Sequence, residues 1–184
     1  MKRIFFAIKI EPGDSLVRMI GSLKSVLGRE KIKWVDTANI HLTMAFLGDT
    51  EDEQIKVADI AVRQKCKDFG QFGFNLAGTG VFRNFRDPRV IWAGIKESET
   101  LVRLNGLITE GLLDAGFILE ERPFKPHITV GRIKFIKDHR LLESALENYR
   151  NAEFQRVDVS EVILYESVLK PEGPFYKSLS RISL

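Results

Sequence analysis

Two apolar segments of this chain, 86 residues apart, carry one pattern: His41-Leu42-Thr43-Met44-Ala45 and His127-Ile128-Thr129-Val130-Gly131. Each lies in a run suited to a strand, residues 40–47 before Gly48-Asp49 and residues 128–133. Side chains alternate across a strand. His41, Thr43 and Ala45 therefore share one face, opposite Ile40, Leu42, Met44 and Phe46, and His127, Thr129 and Gly131 share a face opposite Ile128 and Val130. Each strand thus has a packed side and a side of imidazole, hydroxyl and a small residue that leaves room for a ligand. With three histidines and seven threonines among 184 residues, a histidine meets Thr two places on about 4% of the time by composition. Two of three doing so is far from accident.

The elements around these strands also come in a repeating order. Residues 3–10 read as a buried strand closed by Pro12-Gly13. Asp14 or Ser15 then caps a helix with Leu16, Ile20, Leu23 and Leu27 on one face. A short strand over 32–35 precedes the first His-x-Thr strand, and a helix from Asp52 follows it, with Ile55, Ala58, Val62, Cys66 and Phe69 inward. Strands over 72–81 and 89–95 flank an irregular loop, and Leu101, Leu104, Ile108 and Leu112 mark a third helix. Leu142, Ala145, Leu146 and Tyr149 mark a fourth. Residues 154–169 and 175–184 read as two strands joined by a Pro171-Glu172-Gly173-Pro174 turn. The shift of 86 also lays Arg3-Ile4-Phe5-Phe6-Ala7 on Arg89-Val90-Ile91-Trp92-Ala93. These matches predict a two-lobe duplication. A pseudo-twofold axis would bring both imidazoles and both hydroxyls to one cleft.

Charge narrows the ligand only slightly. There are 28 Lys and Arg against 25 Asp and Glu, split as +4 before residue 93 and −1 after it. That excess permits an anionic ligand and excludes a general DNA coat. A single cysteine, Cys66, excludes an internal disulfide, and with three histidines it gives no zinc-finger spacing. The apolar start is cut by Lys9 and Glu11, too short for a signal peptide, and no stretch approaches the ~18 apolar residues of a membrane span. The expectation is a soluble cytoplasmic protein.

Two imidazoles flanking a substrate suit phosphodiester chemistry. Near an unperturbed pKa of about 6.5, one acts as base on the nucleophile while the other, protonated, donates to the leaving oxygen. The threonine hydroxyls can hold non-bridging phosphate oxygens as charge builds on them. A single strand histidine is ordinarily a hydrogen-bonded core residue, but two in one pattern are not. Zinc is the sharper rival, yet no acidic residue lies within either motif to complete a ligand set, so no metal is expected.

Further residues extend both motifs. Arg3-Ile-Phe-Phe-Ala-Ile8, His41-Leu-Thr-Met-Ala-Phe-Leu-Gly48, Pro88-Arg-Val-Ile-Trp92, Phe124-Lys-Pro-His-Ile-Thr-Val-Gly-Arg132, Leu164-Tyr-Glu-Ser167 and Gly173-Pro-Phe-Tyr176 follow in order. Along its whole length the chain resembles the 2H phosphoesterases, and among them the RNA 2′,3′-cyclic phosphodiesterases first described as 2′-5′ RNA ligases. The resemblance implies a bilobal α+β fold of one domain: two antiparallel-sheet lobes, roughly the two halves of the chain with termini exchanged between them, helices outside and a central cleft. It implies hydrolysis of RNA 2′,3′-cyclic phosphate ends to 2′-phosphate ends without metal or organic cofactor, and the chain is expected to act as a monomer. His41 would be the proton donor, His127 the proton acceptor, and Thr43 and Thr129 would hold the phosphate. The local sequence is too symmetric to assign acid and base by itself. Rival readings are the same chemistry on a small cyclic-phosphate nucleotide, reversible 2′-5′ RNA ligation, and a non-catalytic RNA-binding module.

Arg132 lies five places after His127, on the wrong face by strict alternation. It reaches phosphate either through a bulge at Gly131 or around the strand end. In the loop Phe82-Arg83-Asn84-Phe85-Arg86-Asp87-Pro88-Arg89, Arg83 and Arg86 are candidate contacts to single-stranded RNA, with solvated arginines the plainer alternative. Phe6, Phe46 and Tyr176 are expected in the core and His139 on the surface.

Overall fold

A computed structural model of the chain describes residues 1–97, 99–120, 123–171 and 173–184. The strands are β1 (Lys2–Lys9), β2 (Lys31–Trp34), β3 (His41–Thr50), β4 (Phe72–Phe82), β5 (Val90–Lys96), β6 (Ile128–Phe135), β7 (Glu153–Val159), β8 (Glu161–Lys170) and β9 (Gly173–Ser183). The helices are α1 (Asp14–Val26), α2 (Asp52–Cys66), α3 (Glu99–Asp114) and α4 (His139–Glu147). They form two antiparallel sheets, β3-β1-β8-β9 and β2-β6-β5-β4-β7.

Each helix buries the stripe its periodicity announces: Leu16, Met19, Ile20 and Leu23 of α1, Leu101, Leu104, Ile108 and Leu112 of α3, Leu142, Ala145 and Leu146 of α4. In α2 the stripe is Ala58, Val62 and Cys66. Helices α2 and α3 pack on each other and against β9 and β3 of the first sheet, while α1 and α4 pack against β7 and β4 of the second. One apolar core runs beneath both sheets. Strand β1 is buried on both faces. Ile4, Phe6 and Ile8 join that core, and Phe5 and Ala7 join Ile163 and Tyr165 on the opposite face.

Four expectations need correction. The run 154–169 is two strands, not one: Val159 pairs with Phe72 in one sheet and Glu161 with Ser183 in the other, with Ser160 between. No Gly or Pro punctuates that crossover, and the apolar pattern continues through it. The cap of α1 is Gly13, whose N–H donates to Gln155 Oε1 at 2.6 Å, not Asp14 or Ser15. The shift of 86 superimposes β3 on β6 but is one residue out for β1 and β5. Ala7 pairs with Thr43 and Trp92 with Thr129, so Trp92 is the counterpart of Ala7. Apolar residues on both faces of β1 leave its register unspecified by pattern. Finally, His139 is half-buried and its ring nitrogen Nδ1 donates to the Phe85 carbonyl at 2.6 Å, tying α4 to the 82–89 loop. Within the Pro171-Glu172-Gly173-Pro174 turn, Glu172 lies outside the described residues.

Candidate active site

His41 opens β3 directly after a 3₁₀ turn, Thr37–Asn39, capped by Asp36, whose carboxylate accepts the Ala38 N–H at 2.9 Å. His127 stands just before β6, after Lys125-Pro126, and proline holds its predecessor extended. In both cases ring atom Nδ1 lies 2.7 Å from the carbonyl two residues back, Asn39 for His41 and Lys125 for His127. A carbonyl only accepts. Nδ1 therefore carries the hydrogen in both rings, and both leave Nε2 for a ligand.

The two strands also share a bulge. Thr43 pairs with Ala7 and Ala45 with Phe6, leaving Met44 extra; Thr129 pairs with Trp92 and Gly131 with Ile91, leaving Val130 extra. The extra residue flips the alternation beyond it, so Arg132 returns to the face of His127 and Thr129. The sequence offered a bulge or a reach around the strand end, and the ladder contains the bulge. Val130, Gly131 and Ile133 are accordingly buried while Arg132 is exposed. Gly131 is small for a reason: a Cβ there would meet Ile32 Cγ2 at 3.0 Å and the Trp34 ring at 3.2 Å.

His41, Thr43, His127, Thr129 and Arg132 line one cleft of about 410 Å³ between the sheets. Arg83 and Arg86 do not line it. Arg83 is paired with Asp87, which also holds Arg89 at 3.2 Å, and the Asn84 side chain accepts the Arg86 and Asp87 N–H groups. Among the described residues, no group of three or more His, Cys, Asp or Glu is gathered to hold a metal ion. Cys66 is buried in the core, and burial pushes its thiol up to about 11.

Pattern reading missed the rings around the imidazoles. His41 lies 5.1 Å from Phe5 and 5.0 Å from Tyr176, ring centre to ring centre, and His127 meets Phe82 in a T at 4.5 Å. Tyr176 is thus a cleft residue and not core, and Phe46 is 44% exposed beneath the Arg3 guanidinium. Phe6 is core as expected. The aromatic at position 5, alternating with core Ile4 and Phe6, was the available signal for a second buried face.

Burial is the main force lowering both histidine pKa values below the ordinary 6.5. Their carbonyl partners oppose it, Arg132 adds to it for both rings, and His127 adds to it for His41. At neutral pH the free cleft holds two neutral imidazoles beside a guanidinium. It is built for an anion whose arrival raises an imidazole pKa, so that one ring can give a proton and the other take one.

Residues 12–170 match the 2′-5′ RNA ligase superfamily. The chain is 34% identical over 178 residues to the RNA 2′,3′-cyclic phosphodiesterase of Archaeoglobus fulgidus, covering 96% of this chain and 97% of that one. It is 32% identical over 179 residues to that of Methanothermobacter thermautotrophicus, covering 96% of each. The crystal structure of TT0787 of Thermus thermophilus superimposes with a TM-score of 0.81 at 27% identity, over 99% of this chain and 97% of that one. Escherichia coli LigT complexed with 3′-AMP shares the fold, with a TM-score of 0.71 at 24% identity over 100% and 98% of the two chains. The matched stretch spans both histidine strands, and this chain belongs to the 2′-5′ RNA ligase superfamily of 2H phosphoesterases.

Proposed function

We propose that this chain hydrolyses RNA 2′,3′-cyclic phosphate ends to 2′-phosphate ends with its own two histidines and no metal. The observation that carries the reading is the matched pair of imidazoles in one cleft, each with Nδ1 bound to a carbonyl and Nε2 available. Relatives named RNA 2′,3′-cyclic phosphodiesterase across nearly the whole chain supply the substrate class.

Neutral His127 takes a proton from water, whose oxygen bonds to phosphorus. The bond from phosphorus to O3′ breaks, and protonated His41 supplies the proton that O3′ needs. A 2′-phosphate and a 3′-hydroxyl result. Thr43 and Thr129 hold the non-bridging oxygens, and the Arg132 fork faces the charge that builds there. The assignment of His41 as donor and His127 as acceptor follows the family resemblance. Both motifs come from one chain, so the site is complete in a monomer. Among the described residues no helix is long and apolar enough to cross a membrane, and a buried thiol without a second cysteine suits a reducing cytoplasm.

The test is incubation with an oligoribonucleotide ending in a 2′,3′-cyclic phosphate, in EDTA, with the product end identified. A 2′-phosphate supports the reading. Loss of activity that zinc or manganese restores would move it to a metallohydrolase. Joining of ends without net hydrolysis would favour the ligase reading, and binding without turnover the RNA-binding module.

A further inference from the structure

Both histidine strands bulge just after their threonine, and the extra residue of a bulge has no partner in the ladder for its backbone groups. The two strands meet that need differently. Strand β6 lies between β2 and β5, and the carbonyl of its extra residue, Val130, accepts the Val35 N–H just past β2 at 3.0 Å. Strand β3 ends its sheet, with β1 as its one neighbour among the described residues, so no strand can do the same for its extra residue, Met44. There the donor is a side chain. The Asn105 amide Nδ2, from the middle of α3, donates to the Met44 carbonyl at 2.6 Å. Asparagine is a poor residue for a helix interior, because its amide competes for backbone partners. Here it follows Leu104 at the border of the buried stripe and gives that amide to a backbone 61 residues away.

Met44 is 2% exposed, so its carbonyl, deprived of Asn105, would be left without a partner in a largely dry place. A slip of the bulge to Leu42 would relieve that carbonyl and turn Thr43 away from the face of His41. We infer that Asn105 is a positioning residue of the active site: by holding the bulge at Met44 it aims the Thr43 hydroxyl into the cleft. This rests on the reading above, in which Thr43 holds a phosphate oxygen. Asn105 does not line the cleft and meets substrate only through Thr43. It serves one half of the site, since the strand of Thr129 has the Val35 N–H for the same purpose.

A double-variant cycle separates positioning from mere docking of α3. Asn105→Ala should lower kcat roughly tenfold at nearly unchanged KM, because a donor aimed at developing charge is misplaced while the other phosphate contacts remain. Asn105→Asp keeps the size, loses the donor and should cost at least as much. Added to Thr43→Val, Asn105→Ala should cost about twofold or less; added to Thr129→Val, it should keep its full effect. Equal further losses in the two backgrounds, or unchanged kcat in both Asn105 variants, overturn the positioning role. Should Asn105→Ala not fold, the cycle is run with Asn105→Asp. Absence of any cyclic phosphate hydrolysis by the unaltered chain overturns the reading above instead. Backbone amide resonances then decide Asn105 without substrate: in Asn105→Asp those of Thr43 and Ala45 should move while those of Thr129 and Gly131 stay, and unmoved Thr43 and Ala45 overturn the inference.

Discussion

His41 and His127 hang from the same backbone device, an Nδ1–H bond of 2.7 Å to the carbonyl two residues back, and both strands bulge just after the threonine. Their surroundings differ. His41 sits against both Phe5 and Tyr176 and feels the charge of Arg132 and of His127; His127 meets Phe82 and feels Arg132. Beyond the bulge, β6 supplies Arg132 where β3 supplies Phe46, itself covered by Arg3. The shared device fixes the tautomer, which acid and base need alike. The unshared surroundings set different charges around the two rings. Both free rings are held below the ordinary 6.5, so neither set of neighbours singles out the proton donor, and His41 as donor rests on the family resemblance.

The strongest way to break this comparison is to remove each ring. His41→Ala and His127→Ala should each lower kcat roughly 10²–10⁴-fold, the usual value of one positioned proton-transfer group. The double variant should lose far less than the product of the two, because acid and base act as one unit. Near-normal turnover in a folded His41→Ala protein would end the two-histidine mechanism.

Arg132 probes the asymmetry itself. Arg132→Ala should lower kcat/KM by about 10²-fold, on the scale of one lost donor to developing charge, and Arg132→Lys should recover only part because it lacks the planar fork. Thr43→Val and Thr129→Val should be milder. Phe46→Ala, at the equivalent place on the other strand, should leave the chemical step nearly untouched. If Phe46 matched Arg132 in cost, the strands would be functionally symmetric.

The pH profile sharpens the comparison further. Free-enzyme pKa values appear in kcat/KM and those of the bound complex in kcat. Both free histidines lie below 6.5, chiefly through burial, and a bound phosphate anion raises them. The kcat optimum should therefore lie at higher pH than the kcat/KM optimum, and each single histidine variant should lose one limb. Coincident optima would mean the substrate's charge does not reach the rings.

Much of this geometry was legible because strand alternation is short-range physics. His41 with Thr43, and His127 with Thr129, could be placed on shared faces from spacing alone, and the helix stripes followed their period. What stayed hidden depends on partners remote in sequence. Phe5 reads as one more core residue until β8 and β9 bring Tyr165 and Tyr176 over it, at 5.4 and 5.1 Å between ring centres. Ser160 gives no sign that the chain changes sheets there, because Val159 and Val162 are buried in both. Arg132 needed a bulge that pattern allowed but did not demand.

The smallest expected effect concerns the loop beside His127. It begins at Phe82, whose ring touches that imidazole, and carries Arg83, Arg86 and Arg89 around a single acidic residue, Asp87, so it stays net positive although it does not line the cleft. Such a loop can meet phosphates upstream of the reacting end and nothing in a mononucleotide. Arg83→Ala/Arg86→Ala should therefore raise KM a few-fold for an oligoribonucleotide and leave a cyclic mononucleotide unchanged. Each phosphate contact on a single strand contributes about −0.7 to the slope of log affinity against log salt, so the oligomer's slope should flatten by up to ~1.4. An identical salt slope in the variant would assign these arginines to solvent, and the asymmetry between the two histidine strands would then end at the rim of the cleft.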